Sequence, residues 1–205
     1  MSLPLVATGF ATGIGLIAAV GAQNAYLLRR GLLREHVGTL VAVCAISDLF
    51  LIGGAVLGVG VVLTWWPPLL DIVRWGGAAF LVVYGLSCFW RAIRGGESLT
   101  AGPTEALRPT VSLRRAVLTM LGFTWLNPHL YLDIVILGGL ANGYGEVGRW
   151  WYYAGLCLAS ATWFSLLGFG SAKLAPLFAR PRSWQVLDTL IGVVMIALAA
   201  GLVLH

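Results

Sequence analysis

Charge is what this sequence has least of. Only 10% of its 205 residues are Asp, Glu, Lys or Arg against 59% hydrophobic, and the mean hydropathy is +0.89. A soluble domain carries roughly a quarter charged residues, so a water-solvated globule is excluded and lipid becomes the expected solvent. Cysteine is scarce too. Cys44, Cys88 and Cys157 all fall in apolar stretches and are odd in number, which implies neither a disulfide framework nor a metal spacing; we read them as packing residues. The chain lacks H-E-x-x-H, G-x-S-x-G and P-loop motifs, which makes catalysis the weaker class and implies no cofactor and no metal. It also lacks a basic leader with a small-residue cleavage site, so the first apolar block is expected to stay in the mature protein. The net charge of +5 is no nucleic-acid footprint, because the basic residues lie between apolar blocks instead of forming one polar face.

What is present is a series of six apolar blocks, at about 3–28, 37–66, 69–90, 116–141, 150–172 and 185–204. A bilayer core about 30 Å thick takes roughly 20 apolar residues per spanning helix, so each block is long enough to cross. A membrane barrel would show ten-residue segments of alternating polarity, whereas these blocks are apolar on all faces. The expected fold is therefore an all-α integral membrane protein of six transmembrane helices in one transporter domain, 1–205.

The connections alternate in charge. Arg29, Arg30 and Arg34 join blocks one and two; Arg91, Arg94, Arg108, Arg114 and Arg115 join three and four; Lys173, Arg180 and Arg182 join five and six. The other side receives only Arg74 and Arg149 of the 13 basic residues. Excess Lys and Arg mark cytoplasmic loops, which predicts cytoplasmic basic loops with both termini outside. A polar linker, 95–111, divides the chain into halves of three spans, about 1–94 and 112–205. An odd number per half forces opposite orientations, a recurrent transporter plan with the substrate site where the halves meet. Weak internal matches agree with two inverted three-helix repeats: Asn24 with Asn127, Cys44 and Ser47 with Cys157 and Ser160, and Gly77 with Gly192.

Ionisable groups inside a hydrocarbon span are costly and tend to mark transport routes. Asp48 is the sole charge in its block, and eleven residues at about 1.5 Å each place it about 17 Å deep; its bland reading is a protonated or hydrogen-bonded packing acid. Ser47 precedes it. Arg74 lies about 9 Å inside the third block by the same rise, where it either pairs with Asp48 or Asp71, or snorkels outward. Gln23 and Asn24 close the first block with two amides that suit backbone groups released by a helix break, or simple interfacial capping. Asn127-Pro128-His129 interrupts the fourth block. A proline there removes a backbone donor, and a broken helix offers N–H groups to a carboxylate and carbonyls to a cation; an inert kink is the other reading. Asp133 follows nearer the outer face, as an exit gate or a vestibule acid.

These residues carry a resemblance. Gly21-Ala22-Gln23-Asn24-Ala25, the Arg-Arg-Gly-Leu-x-Arg-Glu-His run of 29–36, Ser47-Asp48, Arg74-Trp75-Gly76-Gly77 and Asn127-Pro128-His129-x-Tyr131-x-Asp133 resemble the lysine and arginine exporter (LysE) family over essentially the whole chain. The neutral amino-acid and homoserine branch is expected to carry a Pro-Gly-Pro type sequence at Gly21–Asn24. The resemblance implies a multi-pass carrier of the bacterial inner membrane that exports L-lysine or L-arginine, with functional roles for Asp48 and Arg74. Export against an inside-negative potential costs about 2.3 kcal/mol per charge per 100 mV, so proton antiport through Asp48 is the expected coupling. The rival readings are an exporter of neutral amino acids or metal cations, and an ion or metabolite channel. The glycines of the third and sixth blocks suit either a homodimer or a monomer core.

Overall fold

The computed structural model describes residues 2–18, 21–58, 67–94, 111–178 and 181–204. The linker 95–110 with Arg108, Arg180, and the side chains of Pro128 and His129 lie outside the described set. All regular structure among the described residues is helical: α1 Ser2–Ile17, α2 Ala22–Leu32, α3 Val37–Val56, α4 Pro67–Arg94, α5 Leu113–Trp125, α6 Pro128–Asn142, α7 Gly145–Gly170, a 3-10 segment Ser171–Phe178, and α8 Pro181–Leu204. A helix satisfies its own backbone in hydrocarbon, which is why apolar blocks adopt it. Four helices, α3, α4, α7 and α8, are long and apolar enough to cross a membrane; α1 and α2 make a fifth span if taken together across their 84° bend.

Four of the expected blocks thus form single long helices, and the first and fourth are divided. Each division has a local cause. Gly21, just before α2, is extended at φ −135°, ψ 171°. Pro128 opens α6, the position where its missing N–H costs nothing, and it pushes the preceding Asn127 away from helical geometry. Both breaks are bridged by a later side chain donating to an earlier carbonyl: Asn24 Nδ2 to Ile17 O at 2.8 Å, and Tyr131 OH to Trp125 O at 2.8 Å.

Two long-range pairings organise the bundle. Helix α1 crosses α7 so closely that a Cβ at Gly9 would lie 2.2 Å from the Tyr152 carbonyl oxygen and one at Gly155 2.2 Å from that of Val6; small residues permit this approach. Helix α4 runs against α8. There Gly192 faces the Phe89 ring, so the glycine that the sequence offered equally to a homodimer is used inside the chain. The largest buried cluster joins Tyr26, Leu27, Cys44, Cys88, Met120, Phe123, Trp184 and Met195. Outward, α4 exposes Ile72, Trp75, Val83, Leu86, Trp90 and Ile93, a surface suited to lipid. The basic connections gather at one end of the bundle: Arg29, Arg91 and Asp188 meet there, and His36 Nε2 lies 2.9 Å from Val111 O.

Candidate transport site

A cavity of about 270 Å³ lies where the breaks meet the long helices. Gln23 and Asn24 reach it from α2, Asp48 from α3, Asn127 from the α5–α6 break and Asp133 from α6. Five of the ten residues singled out in the sequence therefore converge on one space, with both chain halves contributing. Its walls are otherwise apolar, with Phe80, Phe123 and Phe164 among them. Among the described lining residues the ionisable side chains are Asp48 and Asp133, and none is Lys, Arg or His.

Asp48 is 7% exposed, and its Oδ2 accepts a 2.7 Å hydrogen bond from Ser160 Oγ on α7. A charge-assisted bond of this kind orients a carboxylate and leaves its other lone pairs for a ligand. Asn24 is held at both ends of its amide: besides donating to Ile17 O, it accepts from Trp163 Nε1 at 3.3 Å. It is therefore a brace across the first break. Gln23 differs. Its Nε2 is buried without a hydrogen-bond partner among the described residues, a costly state for an amide and a ready donor on the cavity wall.

The remaining sequence candidates lie elsewhere. Ser47 is buried beside Asp48 but is not one of the walls. Tyr131 serves the second break. Arg74 makes neither of the ion pairs considered for it: its Nε donates to Leu202 O and its Nη2 to Val203 O at 2.8 Å, at the C-terminus of α8. The physical reason is that the last carbonyls of a helix have no intrahelical donors and carry partial negative charge, so they hold a cation without burying it.

Comparison with known proteins identifies the family. The LysE type translocator profile matches residues 14–205. The chain belongs to the LysE family. It is 34% identical to the lysine exporter LysE of Corynebacterium diphtheriae, over 99% of this chain and all of that protein. It is 33% identical to the lysine exporter LysE of Corynebacterium glutamicum, over 96% and 97%, and 37% identical to the arginine exporter protein ArgO of Serratia proteamaculans, over 95% and 93%. No solved structure matches it.

One feature of this LysE-family chain escaped the sequence reading. Asp188, 2% exposed on α8, sits between two arginines. Its Oδ1 accepts from Arg29 Nε at 3.0 Å and from Arg91 Nη2 at 3.1 Å, and its Oδ2 from Arg29 Nη2 at 3.3 Å. The signal was available, since Asp188 is the only charge in the sixth apolar block, as Asp48 is in the second. Arg29 and Arg91 were read only as loop charges, yet Arg29 is 3% exposed.

Proposed function

We propose that this chain exports basic amino acids, L-lysine or L-arginine, across the bacterial inner membrane by secondary active transport. The observation that carries the reading is the cavity with two acids, and no basic side chain among its described lining residues. A basic amino acid has two cationic groups and one carboxylate. Asp48 and Asp133 match the two cations, while the Gln23 amide and the broken helix at Asn127 supply donors for the carboxylate. The relatives named as lysine and arginine exporters support the same substrate class.

In the full arrangement, six crossings form two inverted repeats: α1–α2, α3 and α4, then α5–α6, α7 and α8. Support comes from the two bridged breaks at equivalent places and from the packing of α3 on α7 and α4 on α8 as counterparts. The gathered basic end faces the cytoplasm by the positive-inside rule, which puts both termini outside. Proton antiport is the coupling we infer. Asp48 takes a proton inward and releases it when the substrate cation binds, so one positive charge moves each way.

The test is countertransport of labelled lysine and arginine by the purified protein in liposomes, with unlabelled alanine, homoserine and cadmium as competitors. Saturable exchange inhibited by basic amino acids alone is expected. Competition by homoserine or cadmium would move the chain to another substrate class, and unsaturable flux would make it a channel. An imposed inward proton gradient is expected to drive lysine efflux, and the same efflux without dependence on the gradient would refute the antiport step.

A further inference from the structure

Two sets of contacts lead from the cavity wall toward the end of the bundle where Arg29, Arg91 and Asp188 meet, beside a second pocket in which Phe80 also faces Arg114 and Arg115. The first is aromatic. Phe80 and Phe123 line the cavity and touch at 4.9 Å between ring centres, and Phe123 packs on Tyr84 at 4.8 Å and Tyr26 at 5.4 Å. The second is the ionic cluster. Arg91 lies over the Tyr84 ring at 5.7 Å, and Arg29 lies over Trp184 at 5.6 Å while both reach Asp188. A continuous column of contacts therefore runs from the cavity wall to the charges. Its charged layer joins the two halves of the chain, with both arginines from the first half, on α2 and α4, and the acid from the second, on α8.

We propose that Arg29, Asp188 and Arg91 form the inner gate of the transport pathway, which opens when Asp188 on α8 separates from the arginines of α2 and α4. The inference rests on the exporter reading in two respects, that the cavity is where substrate is held and that the basic end faces the cytoplasm. The choice of chemistry is what argues for a gate over a fixed plug. Apolar side chains at this position would gain from staying buried in every state. Buried ion pairs do not, because the desolvation of the charges roughly offsets their attraction. Once water reaches the basic end, the same three groups are stabilised by hydration instead. A contact whose closed and open forms are close in free energy is what a two-state element requires. The cluster is also graded: Arg29 and Asp188 are almost fully buried, whereas the Arg91 side chain is 30% exposed and stands nearest water. Arg91 is the contact that releases first.

The test uses the full chain in liposomes with Cys44 and Cys157 replaced by alanine and Cys88, whose Sγ accepts from Arg91 Nη2 at 2.9 Å, replaced by serine. Leu81→Cys, on the cavity wall, is the reporter, and a separate Lys173→Cys preparation, at an exposed residue of the basic end, identifies which face that end presents. A membrane-impermeant methanethiosulfonate is added from that face only. Labelling of Leu81→Cys is expected to be slow with the cluster intact. Arg91→Gln leaves the buried Arg29–Asp188 pair in place. It is expected to speed labelling at least about tenfold, because the two hydrogen bonds that Arg91 donates to Asp188, from Nε at 3.3 Å and Nη2 at 3.1 Å, are lost. Asp188→Asn is expected to speed it further. If folded Arg91→Gln protein, checked by melting and monodisperse elution, labels at the parental rate, the cluster is a permanent staple and the gate is overturned, whether or not Asp188→Asn folds. The labelling needs no substrate. A parent protein that fails to exchange lysine would therefore sink the exporter reading, while the labelling rates still decide the gate.

Discussion

Two acids, Asp48 and Asp188, sit in apolar helices as the sole charge of their blocks, and both are buried. Their surroundings are opposite. Asp48 accepts a hydrogen bond from a neutral serine and faces a cavity; Asp188 faces two guanidinium groups and is not among the described residues that line that cavity. The difference teaches that a buried acid is not in itself a substrate site. A carboxylate already neutralised by protein cations holds helices together or releases them, whereas one left with a neutral donor and open space is ready for a cation brought by a ligand.

This comparison sets an order of expected effects. The largest is on stability. Asp188→Ala leaves the buried Arg29 and the partly exposed Arg91 beside each other without that acid and is expected to cost about 3–5 kcal/mol, read as a lower melting temperature in detergent; an unchanged melt would erase the distinction between the two acids. Next is Asp48→Asn. It removes no ion pair from the protein, so the melt is expected to hold, while affinity for lysine falls at least about thirtyfold through loss of a desolvated charge partner. Binding measured by calorimetry or exchange checks it. A smaller change comes from Ser160→Ala, which deletes the hydrogen bond that Asp48 accepts from α7; removing a hydrogen bond to a charged group costs about 1.5–3 kcal/mol, seen as weaker lysine exchange with little change at Asp188 or in the cluster's labelling. The smallest is Arg74→Gln. It loses the cation at the end of α8, worth about 0.3–1 kcal/mol, and exchange is expected to persist. Loss of exchange in a folded Arg74→Gln protein would return that arginine to the transport route.

Much of the site was legible residue by residue. Asp48 stood out because a lone charge in an apolar run is conspicuous, and the break at Asn127-Pro128 because proline acts on its immediate neighbours. That Gln23, Asn24, Asp48, Asn127 and Asp133 line one cavity was not legible, because the sequence sets them at different depths on separate helices and only packing brings them together. Partnerships were not legible. Arg74 has two acids within reach of sequence arguments and bonds to neither, taking instead two carbonyls of α8 more than a hundred residues away. Ser160 was noted only as a repeat match to Ser47, yet it is the donor that orients Asp48.

The sequence by itself determined that the chain is helical, apolar enough for lipid and interrupted in its fourth block, because hydropathy and proline act through the local backbone and solvent. Only the tertiary structure decided which buried charge meets which. Asp188 finds Arg29 and Arg91 across 159 and 97 residues of chain, and electrostatic pairing depends on distance and burial after packing, quantities that no spacing along the sequence contains.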